Sequence, residues 1–262
     1  MHFTKYNGLG NDFIFLDGKD ALAVTDLAAL ARRLCDRYTG IGADGLVLLL
    51  PSAIADIHMR IINSDGSEAE MCGNASRCVA LHLSQTRIPA QKQFTLETLA
   101  GLITTEIIDI QKQLVRVNMG TAKEVEPLTV QVAGKEFAGM CVSMGNPHFV
   151  IPVEHVETFP IAQWGPLLET HPAFPHKTNV EFVEVLSQQT VRMRVWERGA
   201  GITRACGTGS CATAVACATW GLTEKQITVQ LDGGELQIAW PDKKEILMTG
   251  PAQKVFEGDI VL

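Results

Sequence analysis

The chain has 262 residues, 46% of them hydrophobic, 19% charged and 6% aromatic, with a formal net charge of -7. That composition can bury a core and excludes a disordered chain, and the acid excess argues against nucleic acid or an anionic membrane as the main partner. The longest strongly apolar run, Leu46 to Leu50 ahead of Pro51, is far too short for a bilayer span, and Met1 to Tyr6 has no basic-then-apolar export signal. An odd count of seven cysteines then predicts reduced thiols in the cytoplasm rather than a disulfide framework.

In chain order, Thr25 or Asp26 is placed to cap a helix with apolar positions Leu27, Leu30, Ala31, Leu34 and Tyr38. Residues 58–63 alternate as a strand, Ser64 to Glu70 reads as a loop, and Asn74 can cap a helix running to about Thr86. Residues 94–118 read as hairpins. Six of the eleven prolines fall between Pro147 and Pro175, which predicts mostly irregular loop there. Residues 190–197 alternate as a second strand, Arg198 to Arg204 reads as a loop, and Thr208 can cap a helix to about Trp220. Hairpins follow over residues 226–248, Asp232-Gly233-Gly234 being the clearest turn.

Several of these segments occur twice. Met59-Arg60-Ile61-Ile62 resembles Met193-Arg194-Val195-Trp196 at an offset of 134 residues, and the same offset sets Cys72-Gly73-Asn74-Ala75-Ser76 on Cys206-Gly207-Thr208-Gly209-Ser210. Gly10-Asn11-Asp12-Phe13-Ile14 resembles Gly145-Asn146-Pro147-His148-Phe149 at an offset of 135. Three matches in one order, near half the chain length, predict two homologous lobes; the period is too long for a solenoid. No flexible linker separates them, so the lobes are expected to pack directly.

A cysteine just ahead of a helix N-terminus lies where unpaired backbone N–H groups and the helix dipole favour a thiolate. Gly73 and Gly207 let a ligand approach that backbone, and the same N–H groups can hold a carboxylate or a developing oxyanion. Two such thiols related by duplication, facing each other across a cleft, suit a reaction with mirror symmetry: one takes a proton from a carbon and the other returns one to the opposite face. For Cys35, Cys78, Cys141, Cys211 and Cys217 the reading is a buried structural thiol. No Cys-x-x-Cys or clustered Cys/His spacing points to a metal or to thioredoxin-like redox chemistry. Gly8-Leu9-Gly10 lacks the third glycine of a dinucleotide site. Taken alone, His148 can equally be a core histidine, and Glu197-Arg198 a local ion pair.

The chain resembles the diaminopimelate epimerase family, amino-acid epimerases that work without pyridoxal phosphate. The resemblance rests on Phe3-x-Lys5-x-x-Gly8-x-Gly10-Asn11-Asp12-Phe13, Asn63-Ser64-Asp65-Gly66, Glu70-Met71-Cys72-Gly73-Asn74, Gly145-Asn146-Pro147-His148, Thr178-Asn179-Val180-Glu181, Glu197-Arg198-Gly199-Ala200-Gly201, Ala205-Cys206-Gly207-Thr208-Gly209 and Val255-Phe256-Glu257-Gly258. It implies an α+β fold of two lobes, each a mixed, mostly antiparallel sheet curled around a central helix, with the active site in the cleft between them. The lobes would be residues 1–117 with a 251–262 tail, and residues 118–250.

The resemblance implies Cys72 and Cys206 as the acid/base pair. Gly73, Asn74, Gly207 and Thr208 would bind the reacting carboxylate, and Asn11, Asn146, His148 and Glu197 would surround the reacting amino group and order the site. Asn63, Asn179 and Arg198 would hold the far amino-acid end of the substrate. The implied activity is interconversion of LL- and meso-diaminopimelate for lysine and peptidoglycan precursors, with no cofactor, no metal, a small amino-acid substrate and a homodimer. Ala75, Ile202 and Gly45 depart from the family pattern, which leaves open a cofactor-independent racemase of another amino acid, histidine among them. A dehydratase or isomerase on the same fold is disfavoured by the two cysteines together, and a thiol redox sensor is the non-catalytic alternative.

Overall fold

The computed structural model describes residues 1–18, 24–86 and 91–261, so that Leu262 of the expected tail lies outside the described residues. The chain divides into two compact units, Met1–Val117 with Gly250–Leu262, and Asn118–Thr249. Among the described residues no helix is long and apolar enough to cross a membrane.

The first unit contains β1 (His2–Gly8), β2 (Asn11–Asp17), α1 (Leu27–Cys35), β3 (Gly45–Leu50), β4 (Ile57–Asn63), β5 (Glu68–Ala69), α2 (Gly73–Thr86), β6 (Gln93–Thr98), β7 (Gly101–Asp109) and β8 (Leu114–Asn118). The second contains β9 (Lys123–Val132), β10 (Lys135–Ser143), β11 (Pro147–Pro152), α3 (Ile161–Glu169), β12 (Asn179–Ser187), β13 (Thr190–Glu197), β14 (Gly201–Thr203), α4 (Gly207–Thr219), β15 (Gln226–Leu231), β16 (Gly234–Ala239) and β17 (Leu247–Pro251), after which β18 (Gln253–Asp259) belongs to the first unit.

The strand pairings repeat. In the first unit β1–β2 is antiparallel, β2–β3 parallel, β3–β4 and β4–β5 antiparallel, β4–β6 parallel, and β6–β7–β8 antiparallel. The second unit runs the same series through β10, β11, β12, β13, β14, β15, β16 and β17. In the first unit β18 lies antiparallel to β1, and in the second β9 lies antiparallel to β10. Register repeats as well: Leu46 opposes Ile62 as Val180 opposes Trp196, and Ile61 opposes Ala69 as Val195 opposes Thr203. The duplication legible in the sequence is therefore a duplication of topology and register.

Alternation along the strands separates two faces in the first unit. Phe13, Phe15, Val47, Leu49, Met59 and Ile61 pack with Ala75, Cys78, Val79 and Leu81 of α2. Ile14, Leu16, Leu46, Leu48 and Ile62 face the other way and pack with Leu30, Ala31 and Leu34 of α1. Helix α2 is buried on nearly every face, and so is α4, whose small residues let it pack against β10, β11, β12, β15 and β16.

Four local expectations need correction. Helices α2 and α4 begin two residues earlier than expected, at Gly73 and Gly207, so Cys206 is the N-cap of α4 and Asn74 and Thr208 lie inside first turns. Helix α1, capped by Asp26, stops at Cys35; Asp36 Oδ1 then accepts from Tyr38 N at 2.9 Å and Thr39 N at 2.6 Å, and this turn leaves Tyr38 97% exposed. The proline-rich segment holds β11 and α3, because Pro147 and Pro152 terminate the strand and Pro160 precedes the helix; only Pro166 lies inside one. Finally, Ser64 to Glu70 and Arg198 to Arg204 contain the short strands β5 and β14.

Candidate active site

In the first unit, Gly8 and Asn11 are the last pair of the β1–β2 hairpin, closed by Leu9 (φ 62°) and Gly10 (φ 86°). Two successive left-handed residues match the strand twist, and they deliver Asn11 at the first position of β2. The Asn11 amide is fixed at both ends. Its Nδ2 donates to Asp44 Oδ2 at 2.8 Å, and its Oδ1 accepts from Asn74 Nδ2 at 3.1 Å and faces the Cys72 thiol at 3.7 Å. Asp44 is anchored by Arg37 at 2.7 Å, and Arg37 and Lys5 also bind Asp12, at 2.8 Å each. These ion pairs, with burial opposing them, hold the Asp12 carboxyl below the usual carboxylate range. Cys72 lies immediately ahead of α2, where its carbonyl accepts from Ser76 N at 2.9 Å and Ser76 Oγ at 3.0 Å. Asn63 ends β4, and its Nδ2 donates to Ser67 Oγ at 3.0 Å within the β4–β5 turn.

In the second unit, Gly145 (φ 96°) turns the chain from β10 to β11 and leaves Asn146 just ahead of β11. Asn146 Nδ2 donates to Thr208 Oγ1 at 3.4 Å, and Asn146 Oδ1 lies 3.0 Å from His148 Nε2. The other His148 nitrogen, Nδ1, is 2.7 Å from Glu181 Oε1, with both side chains fully buried. Cys206 at the N-cap of α4 accepts from Gly209 N at 3.3 Å through its sulfur and from Ser210 N at 3.0 Å through its carbonyl. Its sulfur also lies 3.6 Å from Thr208 Oγ1. The Glu197 carboxyl accepts from Thr203 Oγ1 and interacts electrostatically with the Cys206 thiol.

The electrostatics at Cys206 run against the thiolate that helix position alone predicts. Burial, then the carboxylates of Glu197 and Glu181, push its thiol well above the ordinary range, outweighing the Thr208 and Gly209 hydrogen bonds. Burial likewise raises Glu197 above its usual range, with Glu181 adding to the effect. A buried N-cap thiol beside two carboxyl groups thus holds its proton more tightly than a free thiol does. Cys35, Cys78 and Cys217 are pushed up to about 12 and Cys141 to about 11, chiefly by burial.

A third cluster carries Arg198. Asn179 Oδ1 accepts from Arg198 N at 3.0 Å, and Asn179 Nδ2 donates to Pro147 O at 2.8 Å. The Arg198 guanidinium donates to His176 O at 3.3 Å. Glu169 secures the same loop from the end of α3: its oxygens accept from Trp196 Nε1 at 2.7 Å and Gly199 N at 3.1 Å.

Hydrogen bonds thus join Asn11, Cys72 and Asn74 in one unit, and Asn146, His148, Thr208 and Cys206 in the other, where Glu197 acts electrostatically on Cys206 and Asn179 lies beside Arg198. Asn63 is bonded within its own turn. Sequence reasoning gave no role to Asp44, Glu169, Glu181 or Thr203. Glu181 did carry a signal, since it interrupts the apolar run of β12 at a position where the repeat has Val47.

The model of the diaminopimelate epimerase family matches residues 3–125 and 140–255, across both units. The chain belongs to the diaminopimelate epimerase family. A diaminopimelate epimerase of Carboxydothermus hydrogenoformans is 50% identical over 276 residues, covering 100% of both chains. One from Pelotomaculum thermopropionicum is 49% identical over 277 residues, covering 99% of this chain and 98% of the relative. Among solved structures, a Bacillus anthracis phenazine biosynthesis protein of the PhzF family superposes with a TM-score of 0.76 at 17% identity, covering 100% of this chain and 99% of the other. A probable proline racemase from Agrobacterium radiobacter, solved with bound carbonate, gives 0.73 at 17% identity and covers 100% and 93%. These distant likenesses place the α+β, duplicated two-lobe fold of the diaminopimelate epimerase family among the proline racemase and PhzF folds. The family is one of isomerases that act without pyridoxal phosphate.

Proposed function

We propose that the chain inverts one α-carbon of diaminopimelate, interconverting the LL and meso forms, with Cys72 and Cys206 as the acid/base pair. The observation that carries the reading is the recurrence of a cysteine ahead of the corresponding helix in each duplicated unit of a chain in this family. One sulfur, as thiolate, takes the α-proton; the other, as thiol, gives a proton to the opposite face, and the roles exchange in the reverse direction. Burial and the two carboxylates favour Cys206 entering as the thiol. Backbone N–H groups at the first turns of α2 and α4, at Gly73, Asn74, Gly207 and Thr208, would hold the substrate carboxylate and stabilise the charge that spreads onto it in the transition state. Asn11, Asn146, His148 and Glu197 would order the reacting centre. Asn63, Asn179 and Arg198 would hold the distal end, Arg198 by a charge-assisted pair with its carboxylate. The working form in this reading is a cytoplasmic homodimer of two 28.5 kDa chains, its residue boundaries 1–117 with 251–262 and 118–250 marking the two catalytic lobes.

Hydrogen exchange in deuterated water tests the substrate. The protein is expected to exchange the α-hydrogen of LL-diaminopimelate with solvent and to leave L-histidine and other single L-amino acids unlabelled. Exchange of one of those amino acids with none at diaminopimelate would move the assignment to a racemase of that amino acid.

A further inference from the structure

Resting on that reading of the Cys206 half-site, we infer that Glu181 is a positioning residue: it keeps a proton on His148 Nε2 and thereby orients the Asn146 amide towards the start of α4. Asn146 Nδ2 points to Thr208 Oγ1, so Oδ1 faces His148 Nε2 at 3.0 Å. An amide oxygen only accepts, so Nε2 must carry the hydrogen. On the other side of the ring, Nδ1 meets Glu181 Oε1 at 2.7 Å. Two placements of the shared proton satisfy that bond: a cationic His148 beside an ionised Glu181, or a neutral His148 accepting at Nδ1 from a protonated Glu181. Both leave Nε2 protonated. Without a partner of that kind the ring is free to take the opposite tautomer, and Asn146 would turn its amide to match.

Four further observations place Glu181 in this role rather than in packing. Its side chain is fully buried on a core strand, where its repeat counterpart, set by the matching Val47–Ile61 and Glu181–Val195 pairs, is apolar. His148 likewise stands at the β11 position that Phe13 holds in β2, since Phe13 pairs with Gly45 as His148 pairs with Asn179. The space beside α4 also fits it: a Cβ on Gly209 would lie 2.6 Å from Glu181 Oε1 and 3.1 Å from Cys206 Sγ. The first unit has Ala75 at that helix position, packed in the same apolar cluster as Val47. Finally, Glu181 Oε2 is buried without a hydrogen-bond partner among the described residues, a cost that packing alone gives no reason to retain.

The two units therefore solve one orientation problem with opposite polarity. Asp44 binds the nitrogen end of Asn11 and leaves the oxygen towards Cys72 and Asn74. Glu181, through His148, binds the oxygen end of Asn146 and leaves the nitrogen towards Thr208. The Cys72 half-site gains an acceptor and the Cys206 half-site a donor.

The test is nitrogen NMR of the full-length protein labelled with 15N-histidine, without substrate, the His148 ring being assigned by its absence in His148→Asn. The expected spectrum shows Nε2 protonated across the range of pH in which the enzyme is active. An unprotonated Nε2 opposite a protonated Nδ1 would overturn the inference. Glu181→Val should change the His148 pattern and lower kcat about tenfold or more, with KM changing less. Glu181→Gln, whose amide can donate to Nδ1, should restore the Nε2 proton and recover most of the lost kcat. A Glu181→Val protein with wild-type kcat and ring pattern would also overturn it, and if that variant does not fold, the wild-type and Glu181→Gln spectra still decide. Because the ring state is read without substrate, an unprotonated Nε2 in an active epimerase sinks this inference alone, whereas a protonated Nε2 in a protein inert towards diaminopimelate sinks only the substrate reading.

Discussion

Cys206 shows why position on a helix is an incomplete guide to a thiol. The helix N-terminus offers its sulfur one N–H, from Gly209, yet burial and two neighbouring carboxyl groups act the other way and prevail. A folded thiol that holds its proton more tightly than the unfolded one contributes stability that is present below the ordinary thiol range. That contribution is lost as pH rises through the folded value. Alkylation of Cys206 by iodoacetamide, followed by mass spectrometry across pH, is expected to reach its half-maximal rate above the pH typical of a free thiol. Glu197→Gln removes one of the opposing carboxylates, so its midpoint should fall; an unchanged midpoint would mean that Glu197 has no electrostatic hold on the sulfur.

At the scale of elements, the sequence made visible what local periodicity encodes. Alternation located β4 and β13, the Thr25-Asp26 pair located the start of α1, and Asp232-Gly233 located the β15–β16 turn. Local pattern missed what depends on partners. Tyr38 continues the apolar spacing of α1 but lies past the Asp36 turn, and β14 exists because Thr203 and Ile202 pair with Val195 and Trp196. The same limit applies to the site. Cys72, Cys206 and the asparagines announced themselves by repetition, whereas Glu181 and Asp44 matter through contacts with residues about 30 positions away in sequence, as Glu181 does with His148 and Asp44 with Asn11. Helix α1 packs on the sheet face opposite α2, which separates its stability from the chemistry. Asp26→Ala removes the 2.9 Å cap to Ala29 N and should cost about 1 kcal/mol by urea denaturation while leaving kcat at the wild-type value. A fall in kcat of the folded variant would show that α1 contributes to the site after all.

The whole molecule is a duplication that kept its topology and diverged in its polar residues. Pairing order and register repeat between the units, and Ser76 and Ser210 bond in the same way to the carbonyls of Cys72 and Cys206. Around those shared bonds, Phe13, Val47 and Ala75 in one unit stand where His148, Glu181 and Gly209 stand in the other. Ala75 is buried in the apolar cluster that holds Val47, whereas a Cβ at its counterpart Gly209 would crowd Glu181. The proposed two-base reaction needs one thiol with a proton and one without at the start of each turnover, and the surroundings of Cys206 favour the protonated form.

In the proposed reaction each unit supplies one of the two bases. The most direct measurement is inversion of LL-diaminopimelate in deuterated water, with deuterium at the α-carbon followed by NMR, in wild type, Cys72→Ser and Cys206→Ser under reducing conditions. Wild type should yield labelled meso product; each variant should lose inversion by about a thousandfold or more, with Cys206→Ser still binding substrate. Wild-type turnover in either serine variant would rule out a reaction in which both cysteines act as bases.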